Sequence, residues 1–229
     1  PYTTLFRSGN NQLTSLDVSK LTALTSLSCY NNQLTSLDVS NLTVLTSLDC
    51  YSNQLNSLDV KRNTVLTRLQ CGNNQLGSLD VTKNTALTLL HCYKCQLTSL
   101  DVSKNIALTK LYCQMNQIRG AAMDALINGL PKNLTNDKQE FGVINNRYND
   151  EGNVCTTAQV AAAKAKGWTP YYYNGTEWTE YEGSDDTPTT KGDVSGDGQV
   201  NGTDLVALTN IILGKSSKTD AADVNGDGY

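Results

Sequence analysis

Histidine is almost missing from this sequence: His91 stands alone among 229 residues. That count argues against a zinc centre built on several imidazoles and against acid–base apparatus that needs more than one of them. Long apolar runs are missing too; none approaches the roughly 18 residues that a membrane-spanning helix needs. Basic charge is in deficit, with 18 Lys and Arg against 22 Asp and Glu and a net charge of −4. A nucleic-acid footprint calls for a basic domain, so that class of partner is set aside. Aromatic residues make up only 7% of the chain, and Leu, Thr, Ser and Asn crowd it instead.

The charge is unevenly placed. Residues 1–117 carry nine basic and six acidic side chains, 118–183 carry six and eight, and 184–229 carry three and eight. The tail is a distinct acidic piece, and its carboxylates need a reason.

Five nearly literal units of 21 residues follow one another without insertion: 13–33 (LTSLDVSKLTALTSLSCYNNQ), 34–54, 55–75, 76–96 and 97–117. Each carries L-x-x-L-x-C-x-x-N-x-L or a close variant, as in Leu24, Leu27, Cys29, Asn32 and Leu34. Leu27 and Cys29 alternate with polar Ser26, Ser28 and Tyr30, the period-2 pattern of a half-buried strand. One such strand cannot bury its apolar face alone, so the units are expected to stack into a parallel sheet over a continuous core. Twenty-one residues leave little length for a helix on the return side. The LDVS stretches are therefore expected to return in extended or turn conformation. The Asn column (Asn32, Asn53, Asn74, Asn116) falls where each coil turns, and its amides can satisfy backbone groups that no strand reaches.

Seven cysteines then acquire a pattern. Cys29, Cys50, Cys71, Cys92 and Cys113 occur once per unit, on the inward side. A packing ladder of small apolar thiols competes with a metal or disulfide array. Identical vectors on strands about 4.8 Å apart favour the ladder. Cys95 takes the Asn slot of its unit, and Cys155 lies outside the pattern. The Asp column (Asp17, Asp38, Asp59, Asp80, Asp101) reads as turn chemistry rather than a cation ladder. Lys20, Arg62, Lys83 and Lys104 follow three residues later, and a short carboxylate readily bonds the backbone ahead of it.

Three outward columns remain on the sheet. They are Ser28, Asp49, Gln70, His91, Tyr112; then Tyr30, Tyr51, Gly72, Tyr93, Gln114; then Ser26, Ser47, Arg68, Leu89, Lys110. Tyr, Arg and His are good contact residues. Tyr30, Tyr51, Arg68, Gln70, His91, Tyr93, Lys110 and Tyr112 are the candidate partner-binding set, against the alternative of a merely solvated sheet.

The repeat resembles the leucine-rich repeat, and with Cys in its third apolar slot it is internalin J-like. That resemblance covers residues 9–117. It implies a bacterial extracellular or surface protein whose concave sheet binds an unknown protein or glycan.

Residues 1–8 (PYTTLFRS) fit the repeat poorly, although Phe6 could stand for Leu; they read as a non-native leader, and both ends of the chain read as cut. Beyond Ile118 the register dissolves. A helix is expected over 121–131, a strand over 141–146, a second helix over 156–168 with Thr156 or Thr157 near its N-cap, and a short aromatic strand over 169–175. Solenoids need an atypical terminal unit, and this block, with Lys166, Gly167 and Trp168, resembles the cap that closes such repeats. The cap with the start of a linker spans 118–183, and a polar linker spans 184–191.

The tail carries the sharpest motif. Asp193, Ser195 and Asp197 occupy positions 1, 3 and 5 of a twelve-residue loop; Gly198 at 6 allows the turn. Gln199 at 7 would give its carbonyl, Asn201 at 9 a direct or water-mediated contact, and Asp204 position 12. Ca²⁺ wants six to eight hard oxygens, and this spacing supplies them from one short stretch. Asp223, Asn225, Asp227 and Tyr229 repeat positions 1, 3, 5 and 7 thirty residues later. Leu205, Leu208, Ile211 and Ile212 trace a helix face after the first loop. Two such loops resemble a type I dockerin over 192–229. That family pairs, calcium-dependently, with cohesin-bearing scaffold proteins, and positions 10 and 11 (here Gly202 and Thr203) help to choose the partner.

The fold expected is thus an α/β solenoid. It comprises leucine-rich repeats with a parallel β-sheet, a C-terminal α/β cap, and a small all-α calcium-binding dockerin module. No nucleophile elbow, zinc pattern or convincing carboxylate pair appears, and Glu177, Glu180 and Glu182 read as solvating a cap strand. The chain is expected to be a non-catalytic, secreted interaction protein that attaches its repeat surface to a scaffold in polysaccharide-degrading complexes. Two alternatives are a cell-surface adhesin with a calcium-stabilised stalk and a fragment of a dockerin-bearing glycoside hydrolase.

Overall fold

A computed structural model describes residues 4–132, 138–147 and 150–184, with Leu205 and Thr209. The calcium-loop residues Asp193, Ser195, Asp197, Gln199, Asn201, Asp204, Asp223, Asn225, Asp227 and Tyr229, with Gly202 and Thr203, lie outside the described residues.

The repeats each give one strand of three residues: β2 Ser26–Ser28, β3 Ser47–Asp49, β4 Arg68–Gln70, β5 Leu89–His91 and β6 Lys110–Tyr112. They pair in parallel at an unbroken 21-residue offset, Leu27 opposite Leu48, Leu48 opposite Leu69, and onward to Leu111. β1, Leu5–Arg7, falls in the segment set aside as a leader. It pairs with β2 in the same register, with Phe6 opposite Leu27. The return side holds turns and extended backbone, as the 21-residue length requires.

The cap continues the sheet. Helix α1 (Ala121–Gly129) leads to β7 (Gln139–Asn145), α2 (Thr157–Ala165), β8 (Trp168–Tyr173) and β9 (Trp178–Glu180). β7 and β8 extend the parallel order, but β9 turns back antiparallel on β8, Tyr173 opposite Trp178. The nine-stranded sheet is therefore not wholly parallel. Thr156 caps α2 in a reciprocal box with Gln159. The K-G-W run closes α1: Lys166 Nζ donates to the carbonyls of Asn128 and Leu130, and Trp168 Nε1 to that of Pro131.

Polar ladders hold the coils where strands cannot. Asn74 is typical: Nδ2 donates to the carbonyls of Cys50 (3.1 Å) and Cys71 (2.9 Å), and Oδ1 accepts from Leu55 N–H at 3.0 Å. Asn32, Asn53 and Asn116 repeat the pattern. In the remaining slot the Cys95 thiol reaches the carbonyls of Cys71 and Tyr93. The corner there is rebuilt: Gln96 has φ 61°, and Gly77 N–H donates to Cys95 O. A second Asn column escaped the sequence. Asn63, Asn84 and Asn105 are fully buried, and each bonds two carbonyls of the preceding coil. The first two repeats have Leu21 and Leu42 in that slot, which makes the column look apolar.

All seven cysteines are buried and free. The five-rung ladder is fully buried among Leu residues, so the packing reading holds. Each Asp of the return column accepts the N–H two residues ahead at 2.8–3.0 Å. At Asp17, Asp38, Asp80 and Asp101 the hydroxyl and N–H of that Ser or Thr hold the carboxyl below its ordinary range. Lys20 and Lys104 help hold Asp17 and Asp101, three residues before them, in the charged form, and Lys61 reaches Asp80 of the next repeat at 3.4 Å.

Candidate functional site

The concave sheet carries one continuous run of rings. Tyr51 and Tyr93 lie 5.7 Å apart, His91 and Tyr93 4.9 Å, His91 and Tyr112 5.3 Å, and Tyr112 and Trp178 5.4 Å. Tyr173 joins at 5.4 Å from Trp178. Two glycines make the run possible. A Cβ at Gly72 would stand 2.8 Å from the Tyr93 ring, so Gly72 lets Tyr93 lean across an empty rung and donate its hydroxyl to Tyr51 Oη. A Cβ at Gly142 would stand 2.5 Å from Tyr112 and 3.1 Å from Trp178.

Two depressions flank the run. The first, about 380 Å³, lies toward the middle repeats between Tyr30, Tyr51, Asp49, Gln70, His91 and Tyr93. The second, about 480 Å³, lies against the cap. Its walls are the rings of Tyr51, His91, Tyr93, Tyr173 and Trp178. Buried Gln114 and Asn145 and exposed Lys94 and Arg147 complete its lining. Gln114 corrects the sequence reading, which placed it in an exposed column. It is only 4% exposed, and its Oε1 has no hydrogen-bond partner among the described residues.

Electrostatics separates the candidate residues. Burial pushes the His91 imidazole down to about 4, so it is neutral at neutral pH. Burial likewise raises the Asp49 carboxyl, against donation from Tyr51 N–H and the Ser28 hydroxyl. Lys110 is engaged: its ammonium sits 2.6 Å from Glu140, which also accepts the Tyr112 hydroxyl proton. Burial raises Glu140, but those two partners outweigh it and leave its carboxyl below the usual range. Burial and the Glu140 carboxylate push the Tyr112 phenol well up.

The structure thus brings Tyr30, Tyr51, Gln70, His91, Tyr93 and Tyr112 together. Arg68 is exposed and lines neither depression. Lys110 and Tyr112 act as an inner brace through Glu140. The sequence missed Trp178, Tyr173, Asn145 and Arg147, all from the cap. The signal was an aromatic strand followed, after four intervening residues, by another Trp, which is a hairpin cue. Among the described residues, no group of His, Cys, Asp and Glu side chains could hold a metal, and no helix is long and apolar enough to cross a membrane.

Comparison with known proteins agrees with this architecture. Residues 191–229 match the family model of the dockerin type I domain. No curated protein matches the chain. Among solved structures, the functional domain of InlJ from Listeria monocytogenes, described as including a cysteine ladder, is 33% identical at a TM-score of 0.58. The match covers 78% of this chain and 36% of that one. An internalin, InlF, of the same species is 22% identical (TM-score 0.55; 70% and 45% covered). A leucine-rich-repeat protein of Leptospira interrogans is 20% identical (TM-score 0.51; 72% and 47% covered). The last two likenesses bear on the fold alone. The chain spans less than half the length of each of these structures.

Proposed function

We propose that this leucine-rich-repeat chain, with its C-terminal dockerin type I segment, is a secreted bacterial interaction protein. Its concave face contacts a partner, and its tail attaches it to a cohesin-bearing scaffold in polysaccharide-degrading complexes. The observation that carries the reading is the coincidence of two signals: the dockerin match over 191–229 and the twelve-residue oxygen-donor spacing inside it. Both recognised parts are non-catalytic kinds of domain.

The donor set suits calcium. Asp193, Ser195, Asp197, Asn201 and Asp204 offer side-chain oxygens and Gln199 a carbonyl, all hard ligands from one loop; Asp223, Asn225, Asp227 and Tyr229 begin a second set. Calcium, when bound, neutralises the clustered carboxylates and couples loop ordering to binding. Gly202 and Thr203, at positions 10 and 11, are the residues to contact a cohesin.

The test is capture on the full chain with and without EDTA. Calcium-dependent retention of a cohesin-bearing protein is expected, and chelation should expose 192–229 to protease while leaving the solenoid's circular dichroism unchanged. An EDTA-indifferent tail sinks the calcium mechanism. A calcium-loaded, folded tail that retains nothing favours the stalk of a surface adhesin.

A further inference from the structure

We infer that the mid-sheet bay around Asp49 receives an arginine side chain from a protein partner, with the Asp49 carboxylate as counter-ion and tyrosine rings as walls. This rests on the reading of the concave face as a binding face and names the chemistry that its partner must present.

Asp49 carries the argument, by contrast with a second acid of the sheet. Glu140 is neutralised from within: the Lys110 ammonium lies 2.6 Å away and the Tyr112 hydroxyl donates to it. Asp49 has neutral donors alone, Tyr51 N–H at 3.3 Å and the Ser28 hydroxyl, and makes no ion pair among the described residues. Arg68, on the next strand, stands opposite Ser47 at the other end of the pairing and lines no part of the bay. Desolvation raises the Asp49 carboxyl above its ordinary range against those two donors. Its charge is still within reach, because Asp49 is half-buried rather than sealed and lines the bay directly. The other lining residues bring no charge, since His91 is neutral at neutral pH. A part-desolvated carboxylate without a counter-ion favours a cation and repels phosphates, acidic sugars and acidic peptides.

The walls select among cations. Tyr30 leans over Gly9 and Tyr93 over Gly72, where a Cβ would stand 2.5 Å and 2.8 Å from the rings. Each tyrosine thus vacates part of its own rung, and a bay of about 380 Å³ opens between them beside Tyr51. That volume is at the lower end of ordinary ligand sites and suits one long side chain. Aromatic faces attract a cation, and a planar guanidinium is weakly hydrated, stacks on rings and presents several N–H donors at once. The Gln70 amide oxygen and the tyrosine hydroxyls can accept the donors that Asp49 leaves over. A lysine ammonium is the more strongly hydrated and makes a point contact. Ser26, Ser28 and Ser47 are small and sit on β2 and β3 beside the bay, so a folded partner can lie against the sheet there. It enters by a side chain and not as an added strand, since β3 is already paired on both sides.

The test is NMR titration of the full chain with acetyl-arginine amide, against the lysine, glutamine and glutamate analogues. Saturable millimolar shifts at Tyr30, Tyr51, Tyr93 and Gln70 are expected for arginine, smaller ones for lysine and none for the other two. Asp49→Asn keeps the shape and should weaken arginine binding about tenfold. Its melting temperature should hold or rise, because a part-desolvated charge has gone. Gly72→Tyr fills the bay and should abolish the shifts. Undiminished arginine binding by folded Asp49→Asn, no arginine shifts at all, or an equal response to the lysine or glutamine analogue overturns the proposal. A surface protein that the chain captures, that Gly72→Tyr loses and that Asp49→Asn keeps overturns the arginine while keeping the face; absence of both capture and shifts removes both. Tail anchoring is read separately by EDTA-sensitive capture.

Discussion

Cys95→Asn should stabilise the solenoid. In its own slot Asn74 makes two near-ideal donations to carbonyls and accepts one N–H, from Leu55. Cys95 offers a thiol to Cys71 O at 3.2 Å and to Tyr93 O at 3.5 Å. A thiol is a weak donor and has no carboxamide oxygen for Leu76 N–H. Asn116 Oδ1 meanwhile accepts from both Cys95 N–H and Leu97 N–H, whereas Asn53 and Asn74 each serve a single Leu N–H. Restoring the amide replaces weak contacts by two or three bonds worth about 0.5–1.5 kcal/mol each. Rebuilding the corner from φ 61° at Gln96 takes some of this back. A net gain of about 1–2 kcal/mol follows, or roughly 2–8 °C in melting temperature for a domain of this length. The reciprocal Asn74→Cys should lose a comparable amount. Urea unfolding at unchanged m-value and hydrogen exchange at Leu76 N–H are the assays, with protection at Leu76 expected to rise in Cys95→Asn. If Cys95→Asn gains nothing and Asn74→Cys costs nothing, the amide column is not what holds the coils in register.

Two buried ionisable groups should oppose each other with pH. His91, held near 4 against about 6.5 unfolded, contributes stability above 6.5 that is lost as pH falls toward 4. Glu151, pushed by burial up to about 7 despite donation from the Met115, Asn145 and Asn153 N–H groups, contributes below about 4.5 and fades as pH rises through 7. His91→Gln should therefore leave urea midpoints that fall from pH 4.5 to 7, and Glu151→Gln midpoints that rise from pH 4 to 6.5; the same slope in both refutes the assignment. Thr156→Ala should cost about 1 kcal/mol by removing the cap of α2, read as earlier melting of the cap. Ellman's reagent should find no thiol in the native chain and all seven in denaturant; early reaction of any one would place that cysteine nearer the surface than the ladder allows.

The sequence made the repetitive part legible, because there each residue's role is set by its own coil and its identical neighbours. Leu27 and Cys29 point inward wherever their equivalents do, and Asn32 turns the chain as Asn53 does. It failed where a role depends on parts of the chain brought together only by folding. Trp178 reaches Tyr112 because β9 doubles back and Gly142 clears the space. Gln114 occupies a column whose tyrosines, Tyr30, Tyr51 and Tyr93, are half-buried, and no local pattern marks it as enclosed. The second Asn column was missed because alternation separates inward from outward positions but does not announce a polar group that is buried to bond carbonyls.

Gly72 bears on how such an array could be regularised. Averaging the five units would write Tyr at that rung, since three of its equivalents are Tyr. The averaged chain could be the more stable one, yet its new side chain would strike the ring of Tyr93, part the Tyr93–Tyr51 pair and fill the bay between them. A consensus version of this solenoid would keep the scaffold and erase the surface, because the relief of that surface is written in the rungs that depart from the average.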